Sequence, residues 1–121
     1  MNINFHNQII HLLPSGALYL EGSNALICSD LHLGKGVLLQ DSGVPLIDQL
    51  DTKTVANLCH DLATFKPKLC IICGDLIHAK SKHLTQHLHW FEEQLTPFNT
   101  SFICTLGNHD SRFLSTHLSI I

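Results

Sequence analysis

The chain has 121 residues, enough for one domain of ordinary size, and we expect a single domain over residues 1–121. Hydrophobic residues make up 45% and charged residues only 14%, which suits a packed core and excludes disorder. The net charge of −3 argues against a strongly basic nucleic-acid module. No apolar run approaches the roughly 18 residues of a membrane span, so we expect no membrane association.

The first elements in chain order form a predicted hairpin. Residues 8–13 are rich in apolar side chains, and the turn signal Pro14-Ser15-Gly16 separates them from a second apolar run at residues 17–20. Residues 25–28 then form a short, continuous apolar run, which is typical of a buried strand.

Two helices and two further strands follow in alternation. The apolar residues of each predicted helix are spaced so that they lie on one helical face, and a proline follows each helix. Residues 69–73 and 101–105 are predicted as buried strands. The β-α-β-α-β order predicts an α/β fold with a parallel sheet and right-handed crossovers. The residues of the two helical faces are Val55, Leu58, Cys59 and Leu62 before Pro67, and Leu84, Leu88, Phe91 and Leu95 before Pro97.

The five cysteines are an odd number, which does not suggest a secreted disulfide framework. Cys70 and Cys73 form a C-x-x-C pattern, but they lie in a predicted strand, where residues three apart point to opposite faces. We therefore expect neither a shared zinc ion nor a disulfide, and we predict the reducing cytoplasm as the compartment. The cysteines in apolar runs are expected as small buried side chains: Cys28, Cys70, Cys73 and Cys104.

A polar cluster follows each of the three buried strands, at residues 29–35, 74–78 and 107–110. Because the carboxyl ends of parallel strands meet at one edge of a sheet, we expect these clusters to converge in space. They supply Asp, His and Asn side chains. A ligand set of oxygen and imidazole donors suits Mn, Fe or Zn better than a set of thiolates would. Asp30 and His32 are two residues apart at a strand end, so both are predicted to point to the same side.

The second and third clusters suggest particular roles. Gly74 allows a sharp turn that brings Asp75 close to a ligand, and a carboxylate there can bridge two cations. His109 is followed at once by Asp110, which suggests a general acid and the carboxylate that orients it.

The order D-x-H, G-D-x-x-H and G-N-H-D resembles the signature of the calcineurin-like metallophosphoesterases, over about residues 26–110. Within that superfamily the chain is most similar to the bacterial ligase-associated DNA-damage-response phosphoesterases. The similar stretches are Leu-Pro-Ser-Gly-Ala at residues 13–17 and the runs at residues 29–36, 42–45 and 74–78. The resemblance implies that the chain forms the amino-terminal part of an αββα sandwich.

The resemblance also implies two divalent metal ions, with Mn expected and Fe or Zn as alternatives. Its residue roles are these: Asp30 and His32 ligate the first metal, Asp75 bridges the two, Asn108 ligates the second, and His109 protonates the leaving oxygen with Asp110 holding it. His78 either hydrogen-bonds to a metal-ligating side chain or contacts phosphate. Lys35 either contacts phosphate or is an ordinary solvated lysine.

By the same resemblance, the protein is a metal-dependent phosphoesterase and hydrolase. The expected substrate is a phosphodiester, with DNA as the candidate in an endonuclease and repair context beside a DNA ligase and helicase. The family pattern continues with a further histidine and a G-H-x-H, whereas His117 is the only histidine after His109. The alternative is therefore an inactive, truncated remnant that binds at most one metal or a partner protein. We expect weak Mn²⁺ binding, near-background activity and self-association through an exposed sheet.

Overall fold

The protein is described by a computed structural model over residues 1–33, 49–74, 76 and 84–105. These residues form six strands and two helices. In chain order they are β1 (Asn2–Phe5), β2 (Gln8–Leu12), β3 (Leu18–Leu20), β4 (Ala25–Ser29), α1 (Gln49–Phe65), β5 (Leu69–Cys73), α2 (Leu84–Leu95) and β6 (Ser101–Thr105).

The six strands lie in one sheet in the order in which they occur along the chain. Strands β1 to β4 pair antiparallel, and β4, β5 and β6 pair parallel. The structure therefore confirms the predicted α/β class, with a parallel β-α-β-α-β core preceded by a hairpin.

Strand β1 was not predicted from the sequence. It pairs with β2 through a two-residue turn at His6 and Asn7, whose φ angles of 49° and 63° are both positive. Such a turn matches the twist of the strands that it joins, which explains why this short pair forms.

Both helices end where the prolines predict. At the end of α1, Lys66 adopts a left-handed φ of 46°, and its N–H donates to the Leu62 carbonyl at 2.9 Å. This hydrogen bond satisfies a carbonyl of the last turn, and Pro67 follows because it cannot continue a helix. Helix α2 ends at Leu95, two residues before Pro97.

The two helices pack on the same face of the parallel strands. Two right-handed crossovers that step in the same direction across a sheet place their helices on one side of it. The buried side chains between helices and sheet are Val55, Leu58 and Leu62 of α1, Leu88, Phe91 and Leu95 of α2, and Leu26, Cys28, Cys70, Ile72 and Phe102 of the sheet.

The other face of the sheet is also apolar, but no described helix packs on it. Leu18, Ile27, Ile71 and Ile103 lie side by side across four strands, because each is the register partner of the next. The first three are half-buried, and Ile103 is 50% exposed. The expected self-association through this face stays a prediction.

The expectation of four buried cysteines is wrong for two of them. Cys28 and Cys70 are buried, but Cys104 is half-buried and Cys73 is exposed. Consecutive side chains of a strand point to opposite faces. Because Ile72 lies on the helix-covered face, Cys73 lies on the face that no described helix covers. The same alternation confirms that Cys70 and Cys73 point to opposite faces, and none of the five cysteines forms a disulfide.

Candidate functional site

The three parallel strands end level with one another. Ser29, Cys73 and Thr105 are register partners across β4, β5 and β6. Just beyond them, the Gly74 N–H donates to the Thr105 carbonyl at 2.9 Å. The chain therefore leaves all three strands along one edge of the sheet, which we call the carboxyl edge, where the predicted polar clusters begin.

Asp30 and His32 lie at this carboxyl edge, but outside strand β4, which ends at Ser29. Both adopt the left-handed conformation, with φ angles of 53° and 49°. Non-glycine residues adopt it rarely, and such residues cluster at functional sites. The predicted reason for their proximity, the alternation of a strand, is therefore wrong. A tight turn brings the Asp30 Oδ1 and His32 Nε2 atoms to 3.9 Å from each other.

The Asp30–His32 pair fits a divalent cation. Two bonds of about 2.1 Å to one ion place the donor atoms roughly 3.4 Å apart at the tetrahedral angle, so the pair, at 3.9 Å, needs to close by only about half an ångström to bind one. The side chains are 61% and 40% exposed, so solvent and ions reach them. Ser29 Oγ donates to Asp30 Oδ2 at 3.1 Å, which helps to fix the orientation of the carboxylate. Among the described residues alone, no cluster of three or more potential metal ligands occurs.

The segment after β5 is held beside the segment after β4. The Leu33 N–H donates to the Leu76 carbonyl at 2.7 Å, and both side chains are buried, at 1% and 0% exposure. Gly74 has a φ of 64°, the conformational freedom that the sequence predicts for it. The Leu33–Leu76 hydrogen bond therefore holds the residue after Asp75 beside the residue after His32.

The structure describes two of the predicted site residues, Asp30 and His32. The others lie outside the described residues, and their roles stay predictions: Lys35, Asp75, His78, Asn108, His109 and Asp110.

A cavity of about 180 Å³ opens beside Asp30, on the side of the sheet where the helices pack. The hairpin turn contributes Ser15 and Gly16, and α1 contributes Thr54, Asn57 and Asp61. Gly16 has a φ of 91°, which only glycine adopts readily, so the turn conformation itself requires this residue.

Sequence reasoning missed Asp61, which is the one buried charged side chain among the described residues, at 5% exposure. Ser15 Oγ donates to Asp61 Oδ2 at 2.6 Å, and Ser15 Oγ also accepts from the Ala17 N–H at 3.3 Å. The sequence did contain one indication that Asp61 is buried. Asp61 lies three residues after Leu58, which places it at the border of the buried face of α1.

Cys28 also lines the cavity but has no nucleophilic role there. A hydrogen bond with Cys70, followed by burial, raises the pKa of Cys28 far above that of an ordinary thiol. The thiol therefore stays protonated at neutral pH, and a protonated thiol is neither a good nucleophile nor a metal ligand.

A parallel α/β sheet with a carboxylate–imidazole pair at its carboxyl edge defines a candidate metal-dependent enzyme, because such sheets bind ligands at that edge. The calcineurin-like phosphoesterase family matches residues 23–119. The chain therefore belongs to the calcineurin-like phosphoesterases, a family that generally uses two divalent metal ions.

One solved structure with this fold is the nuclease MPE of Pseudomonas putida, which matches with a TM-score of 0.68 and 24% sequence identity. The match covers 92% of this chain and 51% of the nuclease, so the chain spans about half the length of that protein. No curated protein gives a significant match. In the part of the chain that the structure describes, neither helix is long and apolar enough to cross a membrane.

Proposed function

We propose that this protein is a metal-dependent phosphodiesterase of the nuclease type. The observation that carries the proposal is the Asp30–His32 pair, with donor atoms 3.9 Å apart at the carboxyl edge of a calcineurin-like phosphoesterase sheet. A carboxylate and an imidazole together suit a first-row divalent cation such as Mn²⁺, Fe²⁺ or Zn²⁺.

The proposed metal ligands come from all three strand ends. Asp30 and His32 would hold the first ion, Asp75 would be shared by both ions, and Asn108 would hold the second. Divalent ions at these positions would supply positive charge to a phosphodiester during in-line displacement. The Leu33–Leu76 hydrogen bond supports this arrangement, because it holds the neighbours of His32 and Asp75 side by side.

The remaining predicted residues would act on the substrate. His109 donates a proton to the leaving oxygen, and Asp110 orients the imidazole that does so. Lys35 and His78 are proposed to contact phosphate or to support the ligands. General acid catalysis of this kind typically contributes 10²- to 10⁴-fold to a rate, so we expect loss of His109 to slow the reaction by about that factor.

DNA is the proposed substrate, in a repair context beside a ligase and a helicase in the cytoplasm. Two features support this finer assignment. The residues at 13–17, 29–36 and 74–78 resemble the ligase-associated phosphoesterases. The fold also matches a protein that is named a nuclease.

The test is hydrolysis of bis(p-nitrophenyl) phosphate, a chromogenic diester, with Mn²⁺. We would assay the 121-residue chain and a chimera in which the remaining half of the Pseudomonas putida nuclease follows residue 121. We expect near-background turnover from the chain alone and clear turnover from the chimera, with the diester preferred over p-nitrophenyl phosphate.

Two variants of the chimera make the assay specific to the proposed site. Asp75→Ala should abolish turnover because the bridging carboxylate serves both ions. Cys73→Ser, two residues earlier in the sequence and at the end of β5, should retain it. A folded chimera that is inactive with Mn, Fe and Zn contradicts the proposed function. An active Asp75→Ala chimera contradicts the proposed ligand set.

A further inference from the structure

The hairpin residues 13–17 have no role in the proposed phosphodiesterase chemistry, yet the structure places them at its border. Ser15 and Gly16 form one wall of the 180 Å³ cavity, Ser29 and Asp30 form the second, and α1 forms the third. The cavity therefore opens beside Asp30, a proposed metal ligand, where a part of the substrate next to the phosphodiester could enter it.

The Asp61 carboxylate is the strongest chemical feature of this cavity. Its side chain is 95% buried, and its Oδ2 atom accepts a hydrogen bond from Ser15. No described residue donates to its Oδ1 atom. A carboxylate oxygen accepts hydrogen bonds, so a donor group of a ligand in the cavity could bind Oδ1.

The charge of the described part of the cavity wall disfavours an anion. Asp30 and Asp61 both line it, and neither Lys nor Arg is among the described residues of its wall. Its volume is below the roughly 300–1,000 Å³ of a pocket for a whole drug-sized molecule, so it suits one ring of a larger ligand. Leu31 and Leu58 supply apolar wall, and the exposed Asn57 amide offers both a donor and an acceptor.

We propose that this cavity is a subsite for a nucleobase that bears an exocyclic amino group, whose N–H donates to Asp61 Oδ1. The proposal rests on the proposed function, because it assigns the base next to the phosphodiester that the Asp30–His32 pair meets. Carboxylates accept hydrogen bonds from the cytosine amino group in protein–DNA recognition, which is the same chemistry. Ser15 is a positioning residue: its hydroxyl holds Asp61 in the orientation that leaves Oδ1 open to the cavity.

The experiment is a metal-free NMR titration of the 121-residue chain with cytidine and with uridine. The two nucleosides differ at ring position 4, where cytidine has an amino group and uridine a carbonyl oxygen. We expect cytidine to shift the amide signals of Ala17, Leu31 and Asn57 and to bind about tenfold more tightly than uridine, because a carbonyl faces the carboxylate unfavourably. Inorganic phosphate should leave these signals unchanged.

Two variants separate the binding role of Asp61 from a structural one. Asp61→Asn keeps an acceptor for Ser15 but places an amide in the cavity, so the preference for cytidine should disappear. If this variant does not fold, Asn57→Ala carries the test, because Asn57 is exposed and alanine favours a helix. It should weaken cytidine binding by about tenfold through the loss of its hydrogen bonds.

Equal binding of cytidine and uridine by the wild-type chain overturns the proposal. So does an Asp61→Asn variant, or an Asn57→Ala variant in its place, that binds cytidine as the wild type does. Because the titration uses neither metal nor a scissile diester, its result is independent of the hydrolysis assay. Cytidine binding without diester cleavage would retain the subsite and reject the phosphodiesterase.

Discussion

The helix-covered face of the sheet and the carboxyl edge differ in solvent exposure and in backbone conformation. On the face, Leu26, Cys70 and Ile72 are 0% exposed and lie in regular strands. At the edge, Asp30 and His32 are accessible to solvent and adopt left-handed conformations that most residues avoid. Stability is therefore assigned to residues of the strands and binding chemistry to residues of the turn that follows β4, and single substitutions should change one without the other.

The largest stability effect should come from Phe91→Ala on the covered face. Phe91 is 0% exposed and packs between α2 and the sheet, so its truncation leaves a cavity in the core. We expect the free energy of unfolding in urea to fall by about 3–5 kcal/mol. The folded fraction should bind Mn²⁺ as the wild type does, and a loss below about 1 kcal/mol would contradict this packing.

Ser15→Ala should have a smaller effect, since it removes one hydrogen bond that links the hairpin turn to α1. Ser15 Oγ donates to the buried Asp61 at 2.6 Å, and a hydrogen bond to a charged group contributes about 1.5–3 kcal/mol. We expect the free energy of unfolding to fall by about that amount. Ser23→Ala, in an exposed turn, is the matched control and should change it by less than about 0.5 kcal/mol. Equal effects of the two substitutions would refute the Ser15–Asp61 link.

The alkylation rates of the cysteines should distinguish the helix-covered face of the sheet from the other face. Cys73 is exposed, whereas Cys70, three residues earlier on β5, is 0% exposed. We expect iodoacetamide to alkylate Cys73 first and Cys28 and Cys70 last, as measured by peptide mass spectrometry over time. The raised pKa of Cys28 acts in the same direction, because the thiolate is the reactive form. Alkylation of Cys70 as fast as Cys73 would contradict the assignment of faces.

Much of the covered face could be predicted from the sequence, because burial leaves a periodic trace. The apolar spacing of residues 55–62 and 84–95 predicts both helices, and the prolines at 67 and 97 predict their ends. The exposure of Cys73 could not be predicted, since an apolar run does not reveal which face of a strand lacks a covering helix. Strand β1 was missed although its residues alternate, because four exposed residues are a weak signal.

The site at the carboxyl edge was predicted from the types of side chain that follow the buried strands, and not from hydrophobic periodicity. The order of the three strands and the proximity of Asp30 and His32 could be predicted, but the reason for that proximity is a left-handed turn and not strand alternation. Asp61 escaped prediction because its partner Ser15 is 46 residues away in sequence. Contacts over that separation leave no local pattern.

The central claim is that the Asp30–His32 pair binds a divalent cation, and an Mn²⁺ titration followed by electron paramagnetic resonance tests it most directly. The chain contains a matched control, because Glu21 and His11 form another carboxylate–imidazole pair, at 2.9 Å and away from the carboxyl edge. We predict that Asp30→Asn weakens Mn²⁺ binding by at least about tenfold, while Glu21→Gln leaves it unchanged. Wild-type Mn²⁺ affinity in Asp30→Asn, or loss of binding in Glu21→Gln alone, would contradict the account.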